Sequence, residues 1–179
     1  VNVITRKFYS SDTLKIAKNL LGCFLIRKYR GKVWRAMITE TEAYVGEDDL
    51  ACHAARGRTP RTEVMYGMPG QAYIYMIYGM YHCLNIVTEK KDFPAAVLVR
   101  AVMIDGVDYK KTNGPGKLCK FLKMDRKLNG WDLKKKKELW LEKPAQNFSR
   151  KNIVAGRRIG IDYAKHCKEY LWRFTLRQE

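Results

Sequence analysis

Apolar and polar positions along the chain change period several times, and each change predicts an element. In SSDTLKIAKNLLG, Leu14, Ala17 and Leu21, with Ile16 and Leu20, form an apolar stripe at helical spacing. Ser11 or Asp12 is placed to cap that helix and Gly22 to stop it. The period then falls to two: CFLIRK and VWRAMITETEAY, joined across YRGK with Gly31 at the bend, read as a β-hairpin. Residues 45–70 are polar and too long for an ordinary connection, so a short helix near Asp48 to Ala55 and a wrap over a functional surface are expected. QAYIYMIYGMYHCLNIVT reads as a second hairpin turning near Tyr78, Gly79 and Met80, and AAVLVRAV, apolar until Arg100, as a central strand. A helix start in TNGPGKLCKFLKM, a turn at Asn129 and Gly130, the segment RRIGIDYA and a last strand in YLWRFTLRQ complete the pass. Many strands with few helices predict a mixed α+β fold, a single domain over residues 1–179, in which a curved, mostly antiparallel sheet is flanked by helices.

Composition narrows the class. Hydrophobic residues make up 46% and charged residues 30% of 179 positions, which excludes a disordered polyelectrolyte. No apolar run approaches the roughly 20 residues that span a bilayer, and VNVITRKFYSSD carries no apolar signal-peptide core, so neither a membrane-spanning protein nor a signal peptide is expected. Against 18 acidic residues stand 35 Lys and Arg, a formal charge of +17 that favours a polyanionic partner. Part of that charge is the run Lys134 to Lys137, which reads as a solvated loop or an accessory phosphate contact. The five cysteines are widely spaced with no CxxC pair, which predicts reduced thiols. Cys52 with His53, and His82 with Cys83, are sequence neighbours whose side chains diverge on extended backbone, so no metal site is expected. GxGxxG and GxxxxGK[ST] are both missing, which removes the nucleotide-binding readings that rest on them.

Three features stand out chemically. Glu40, Glu42 and Tyr44 occupy alternate positions of one strand and so share a face, where a carboxylate needs a partner. Tyr73, Tyr75 and Ile77 share a face of the second hairpin, Tyr78 sits in its turn, and antiparallel pairing brings Asn85 opposite the Tyr73 to Tyr75 region. Arg100, inside an apolar strand, calls for a carboxylate, and Glu40 and Glu42 are the candidates. Packing of tyrosines in a sheet and a purely structural ion pair would also satisfy this pattern.

Taken together, ITETEAYVG, CHAARGRTPRT, YIYMIYGMYHCLNIV, VLVRA, GPGKLC and RRIGID resemble the alkyladenine (3-methyladenine) DNA glycosylase family of the mammalian type, from about Thr13 to Arg177. The resemblance implies a monofunctional enzyme that turns alkylated or deaminated purines out of duplex DNA and hydrolyses the N-glycosidic bond. Its substrates would include 3-methyladenine, 7-methylguanine, hypoxanthine and ethenoadenine. It assigns Glu42 as the catalytic glutamate, Arg100 and the Ile159 carbonyl as its partners in holding the attacking water, and Tyr44, His53 and Tyr75 as the base-stacking wall. By the same resemblance Asn85 discriminates against the guanine amino group, and Tyr78 wedges into the helix from a protruding, DNA-intercalating hairpin. No cofactor is implied, and the expected partner is double-stranded DNA carrying damaged purines, with no membrane, met by a monomer inside the cell: in the nucleus of a eukaryote, the cytoplasm or nucleoid of a bacterium.

A water nucleophile leaves an abasic site, whereas a lyase needs an amine; Lys117 is the one lysine within these motifs to consider for that role, and it is disfavoured. Glu40 reads as a supporting acid. Two rivals remain: a non-catalytic basic nucleic-acid-binding module, which gains nothing from Glu42, and a metal-dependent nuclease, for which neither acid has an accompanying ligand set.

Overall fold

A computed structural model describes residues 3–144 and 152–177. Helix α1 (Arg6–Tyr9) leads into α2 (Thr13–Leu20), whose N-terminus is capped by the Asp12 side chain accepting from the Lys15 N–H at 2.8 Å. Strands β1 (Phe24–Tyr29) and β2 (Lys32–Val45) pair antiparallel about Arg30 and Gly31, both at positive φ (47° and 78°), the mirror-image turn that follows the twist of two strands. Then come β3 (Ala72–Ile77), β4 (Tyr81–Val87), β5 (Ala95–Met103), α3 (Pro115–Phe121), β6 (Leu139–Glu142), β7 (Ile153–Gly156) and β8 (Arg173–Leu176). The sheet runs β3-β4-β5-β2-β1-β6; β8 joins the far half of β2 and β7 pairs with β8. Every strand pairing among the described residues is antiparallel. The architecture is a mixed α+β domain with a curved, half-barrel sheet flanked by helices. No helix among these residues is long and apolar enough to cross a membrane.

The pleat divides the work of the two faces. Ile74, Leu84, Ile86, Val97 and Val99 pack with Ile16, Ala17 and Leu20 of α2 and Leu118, Cys119 and Leu122 of α3 in the main core. The Thr41 hydroxyl donates to the Ala17 carbonyl at 2.9 Å, so odd-numbered positions of this part of β2 face the helices. Glu40, Glu42 and Tyr44 therefore face the other way. That second face is roofed by residues 46–70, where Cys52, Ala54, Met65 and Tyr66 pack on Tyr73 and Val87. The short helix expected near Asp48 to Ala55 forms only at the end of that span, as the single-turn 3-10 helix His53–Arg56; the chain turns at 46–52 before it, and a second 3-10 turn, Glu63–Tyr66, follows. Asp49 explains the difference, because its carboxylate accepts from the Val45 and Ala51 N–H groups and closes a turn instead of leading a helix. Leu139–Glu142 and Ile153–Gly156, not expected as strands, are recruited by pairing with β1 and β8. The last strand is shorter than expected, and Gln178 at its expected end lies outside the described residues.

Candidate active site

Two opposed irregularities in the β2–β5 ladder build the centre of the site. Ile38 pairs with Val102, Glu40 with Ala101 and Thr41 with Val99, which leaves Thr39 and Arg100 each without an opposite number. A bulge re-aims the extra residue's side chain. Arg100 consequently reaches both acids of β2: its Nε donates to Glu40 Oε1 at 3.0 Å and its Nη1 lies 3.3 Å from Glu42 Oε2. Glu40 Oε1 also receives Arg173 Nη1 at 3.2 Å, and Arg173 Nε donates to the Arg157 carbonyl at 2.8 Å.

Glu42 is wholly buried, with 0% of its surface exposed. Besides Arg100, it accepts the Tyr44 hydroxyl on Oε2 at 2.8 Å and the Ile159 backbone N–H on Oε1 at 2.8 Å. Burial nonetheless pushes its pKa above the ordinary carboxylate value, Glu40 adding to the rise while Arg100, the Ile159 N–H and the Tyr44 hydroxyl hold it back. Loss of hydration outweighs three donors because none of them restores a full water shell. The contact resolved at Ile159 is its N–H to Glu42; its side chain is 51% exposed.

The three partners of this acid border a cavity of about 320 Å³, walled by Tyr44, Tyr73 and Tyr75 with His53, floored by Asn85 and Leu98, and bounded by Arg100, Ile159 and Tyr163. Glu42 does not itself line it, standing behind Tyr44, Arg100 and Ile159. The His53 and Tyr75 rings meet edge to face with centroids 4.5 Å apart, and His53 Nδ1 lies 3.0 Å from the Tyr73 hydroxyl. Burial, reinforced by Arg61 and Arg56, lowers the His53 pKa to about 4, so its ring is neutral at pH 7. Asn85 is buried opposite Tyr73, and its amide nitrogen donates to the Tyr73 carbonyl at 3.2 Å. Tyr78, at the mouth, is 86% exposed and held at φ 51° in the three-residue turn between β3 and β4. Gly116 of α3 supports that hairpin; a Cβ there would stand 3.0 Å from the Tyr81 ring.

The structure thus gathers Glu42, Tyr44, His53, Tyr75, Asn85, Arg100 and Ile159 around one cavity with Tyr78 at its rim. It adds residues that sequence patterns did not single out. Arg158 and Asp49 form a fully buried two-pronged ion pair at 2.6 and 2.8 Å, and Arg158 also donates to the Ala43 carbonyl. That pair ties the segment carrying Ile159 to the loop leading into His53. Tyr73, read as one of several tyrosines, orients His53. The duplicated arginine of RRIGID was a faint signal for Arg158; Asp49, one of two adjacent aspartates in a polar stretch, offered none. Among the described residues, no three His, Cys, Asp or Glu side chains are grouped to hold a metal ion.

A family model described as methylpurine-DNA glycosylase (MPG) matches residues 7–179. Proteins named "Putative 3-methyladenine DNA glycosylase" are similar along nearly the whole chain. One from Methanocella arvoryzae is 46% identical, covering 96% of this chain and 91% of its own. One from Sodalis glossinidius is 47% identical with 96% and 95% covered, and one from Clostridium perfringens strain SM101 is 41% identical with 96% and 94% covered. These relatives are archaeal and bacterial, which corrects the mammalian-type affiliation expected from the motifs.

Proposed function

The chain belongs to the methylpurine-DNA glycosylase family, and from that premise we propose that it hydrolyses the N-glycosidic bond of alkylated or deaminated purines in duplex DNA, leaving an abasic site. The observation that carries this reading is a fully buried carboxylate whose three partners, Tyr44, Arg100 and Ile159, all line an aromatic-walled cavity. A surface that only gripped phosphates would gain nothing from that acid.

The nucleotide must leave the stack to expose its anomeric carbon, at a cost of a few kcal/mol that damage or mispairing lowers. Tyr78, projecting from the hairpin turn, would fill the gap left behind and offset part of that cost. The extruded base would stack among Tyr44, His53 and Tyr75, with Asn85 narrowing the floor where the 2-amino group of guanine would lie. Neutral His53 suits this role, since a protonated ring would repel a cationic base.

Glu42 has four lone-pair directions. Its Oε2 accepts the Tyr44 hydroxyl and faces Arg100 at 3.3 Å, and among the described residues Oε1 accepts only the Ile159 N–H, so a direction on Oε1 would remain for the proton of an attacking water. Arg100 and the Ile159 carbonyl would complete that water's surroundings. As the bond breaks, the carboxylate would stabilise the positive charge developing on the sugar and then take the water's proton. The expected partner is duplex DNA, bound by a monomer inside the cell through phosphate contacts from the basic surface.

The test is excision from a duplex holding one hypoxanthine, ethenoadenine or 3-methyladenine, with strand scission only after alkali. Glu42→Gln should lower the single-turnover rate by at least ~100-fold while DNA binding persists. Undiminished excision by that variant rejects the mechanism.

A further inference from the structure

We infer that Arg61 sets the balance between cationic and neutral purines at this site, disfavouring the cationic ones. The inference rests on the glycosylase reading and concerns which bases it serves. Both stacking walls carry a guanidinium on a face. Arg158 lies 4.8 Å from the Tyr44 ring centroid and Arg61 5.5 Å from that of Tyr75. Neither arginine lines the base cavity; Tyr75 borders both that cavity and a separate cleft that Arg61 lines.

Their charges are not equivalent. Arg158 is neutralised by the two-pronged pair with Asp49. Arg58, close by in the chain, is likewise held by Glu63 and Asp92. Arg61 has no carboxylate within ion-pair distance among the described residues. It reaches the cavity wall, for its charge adds to burial in suppressing protonation of His53, and its charge together with a hydrogen bond to the Tyr73 hydroxyl partly offsets the effect of burial there.

A ring attracts a cation through the negative charge of its face. When one face is already engaged by a guanidinium, the ring is polarised toward it, and the opposite face offers less to a second cation. A 7-alkylguanine, which carries a formal positive charge, therefore loses attraction on Tyr75 that a neutral hypoxanthine never needed. The charge of Arg61, screened but uncompensated, repels the cationic base as well.

The test is single-turnover excision of 7-methylguanine and of hypoxanthine from duplexes of one sequence, with saturating wild-type, R61Q or R61K protein. R61Q should raise the 7-methylguanine to hypoxanthine rate ratio by about two- to five-fold, the worth of an exposed cation–π contact. R61K, which keeps the charge, should hold the ratio near wild type. A ratio unchanged in R61Q overturns the inference, including equal losses on both bases, the mark of an arginine that only grips phosphate. Wild-type protein that excises neither base overturns the glycosylase reading beneath it, a failure visible before any variant is made.

Discussion

Ile159 donates its backbone N–H to Glu42 Oε1 at 2.8 Å, joining positions 117 residues apart. The donor belongs to a loop and the acceptor to the middle of a strand, so the acid's environment is completed only when the two ends of the chain have docked. This N–H is one of three groups opposing the effect of burial on Glu42. Ile159→Pro removes the donor, whereas Ile159→Ala keeps it and trims a half-exposed side chain. A carboxylate that must be ionised to accept a proton is active only above its pKa. The acidic limb of the single-turnover rate should therefore lie above the ordinary carboxylate value of 4.5 in the wild type. It should move to higher pH in Ile159→Pro and shift less in Ile159→Ala. An acidic limb unmoved by the proline would detach the loop from the function of Glu42.

The same loop depends on Asp49. Its carboxylate meets the buried Arg158 guanidinium at 2.6 and 2.8 Å, and the next residue along is Ile159. Removing one member of a buried pair strands the other's charge, at a cost of about 3–5 kcal/mol. Asp49→Ala should thus lower unfolding free energy by that order in urea titration, with activity lost in step. Asp49→Asn, which keeps an acceptor for Arg158, should cost less. Equal stability of Asp49→Ala and wild type would mean the guanidinium is not sealed from water.

How far such relationships were legible beforehand follows from their range along the chain. The shared face of Glu40, Glu42 and Tyr44, and the register that sets Tyr73 opposite Asn85, are consequences of the pleat and of one short turn, and spacing alone predicts both. The aim of Arg100 was only half legible: the need for a carboxylate follows from burial, but the bulge that lets it reach Glu40 and Glu42 together arises from pairing with β2. His53 entered through the family resemblance, since a histidine in a polar stretch has no periodicity to reveal it. Asp49 with Arg158 was invisible, because nothing local to either residue encodes a partner 109 positions away. The short helix expected near Asp48 starts only at His53 for the same reason: Asp49, at its expected start, is claimed by backbone amides and a distant arginine.

Glu40 supplies a prediction about positioning. Its Oε1 holds Arg100 at 3.0 Å and Arg173 at 3.2 Å, and Arg173 in turn grips the Arg157 carbonyl beside the Ile159 loop. One oxygen thus steadies two of the groups that surround Glu42. Glu40→Ala takes one partner from each guanidinium, leaving Arg100 to Glu42 and Arg173 to the Arg157 carbonyl, and should reduce the excision rate by roughly 10-fold or more, the usual penalty for a misplaced catalytic group. Glu40→Gln retains an acceptor and should recover most of that loss, staying well above Glu42→Gln. Equal rates in the alanine and glutamine variants would show that the acceptor at position 40 does not matter.

His53 yields a stability prediction whose sign can be worked out. Its pKa falls from 6.5 to about 4 on folding, first through burial and then through Arg61 and Arg56. Between those two pH values the unfolded chain binds a proton at this position that the folded protein refuses, so stability falls as the pH is lowered through that window. The full difference corresponds to at most ~3 kcal/mol, reached below about pH 4. Glu42, with its pKa raised, contributes a slope of opposite sign, which makes the comparison with a variant essential. His53→Gln cannot be protonated and can still meet the Tyr73 hydroxyl. Urea unfolding at pH 7 and at pH 4.5 should show the variant losing less stability than the wild type over that interval, by ~2 kcal/mol. Parallel losses in both proteins would mean the imidazole takes up its proton in place, and the wall of the cavity would then carry a positive charge at acidic pH.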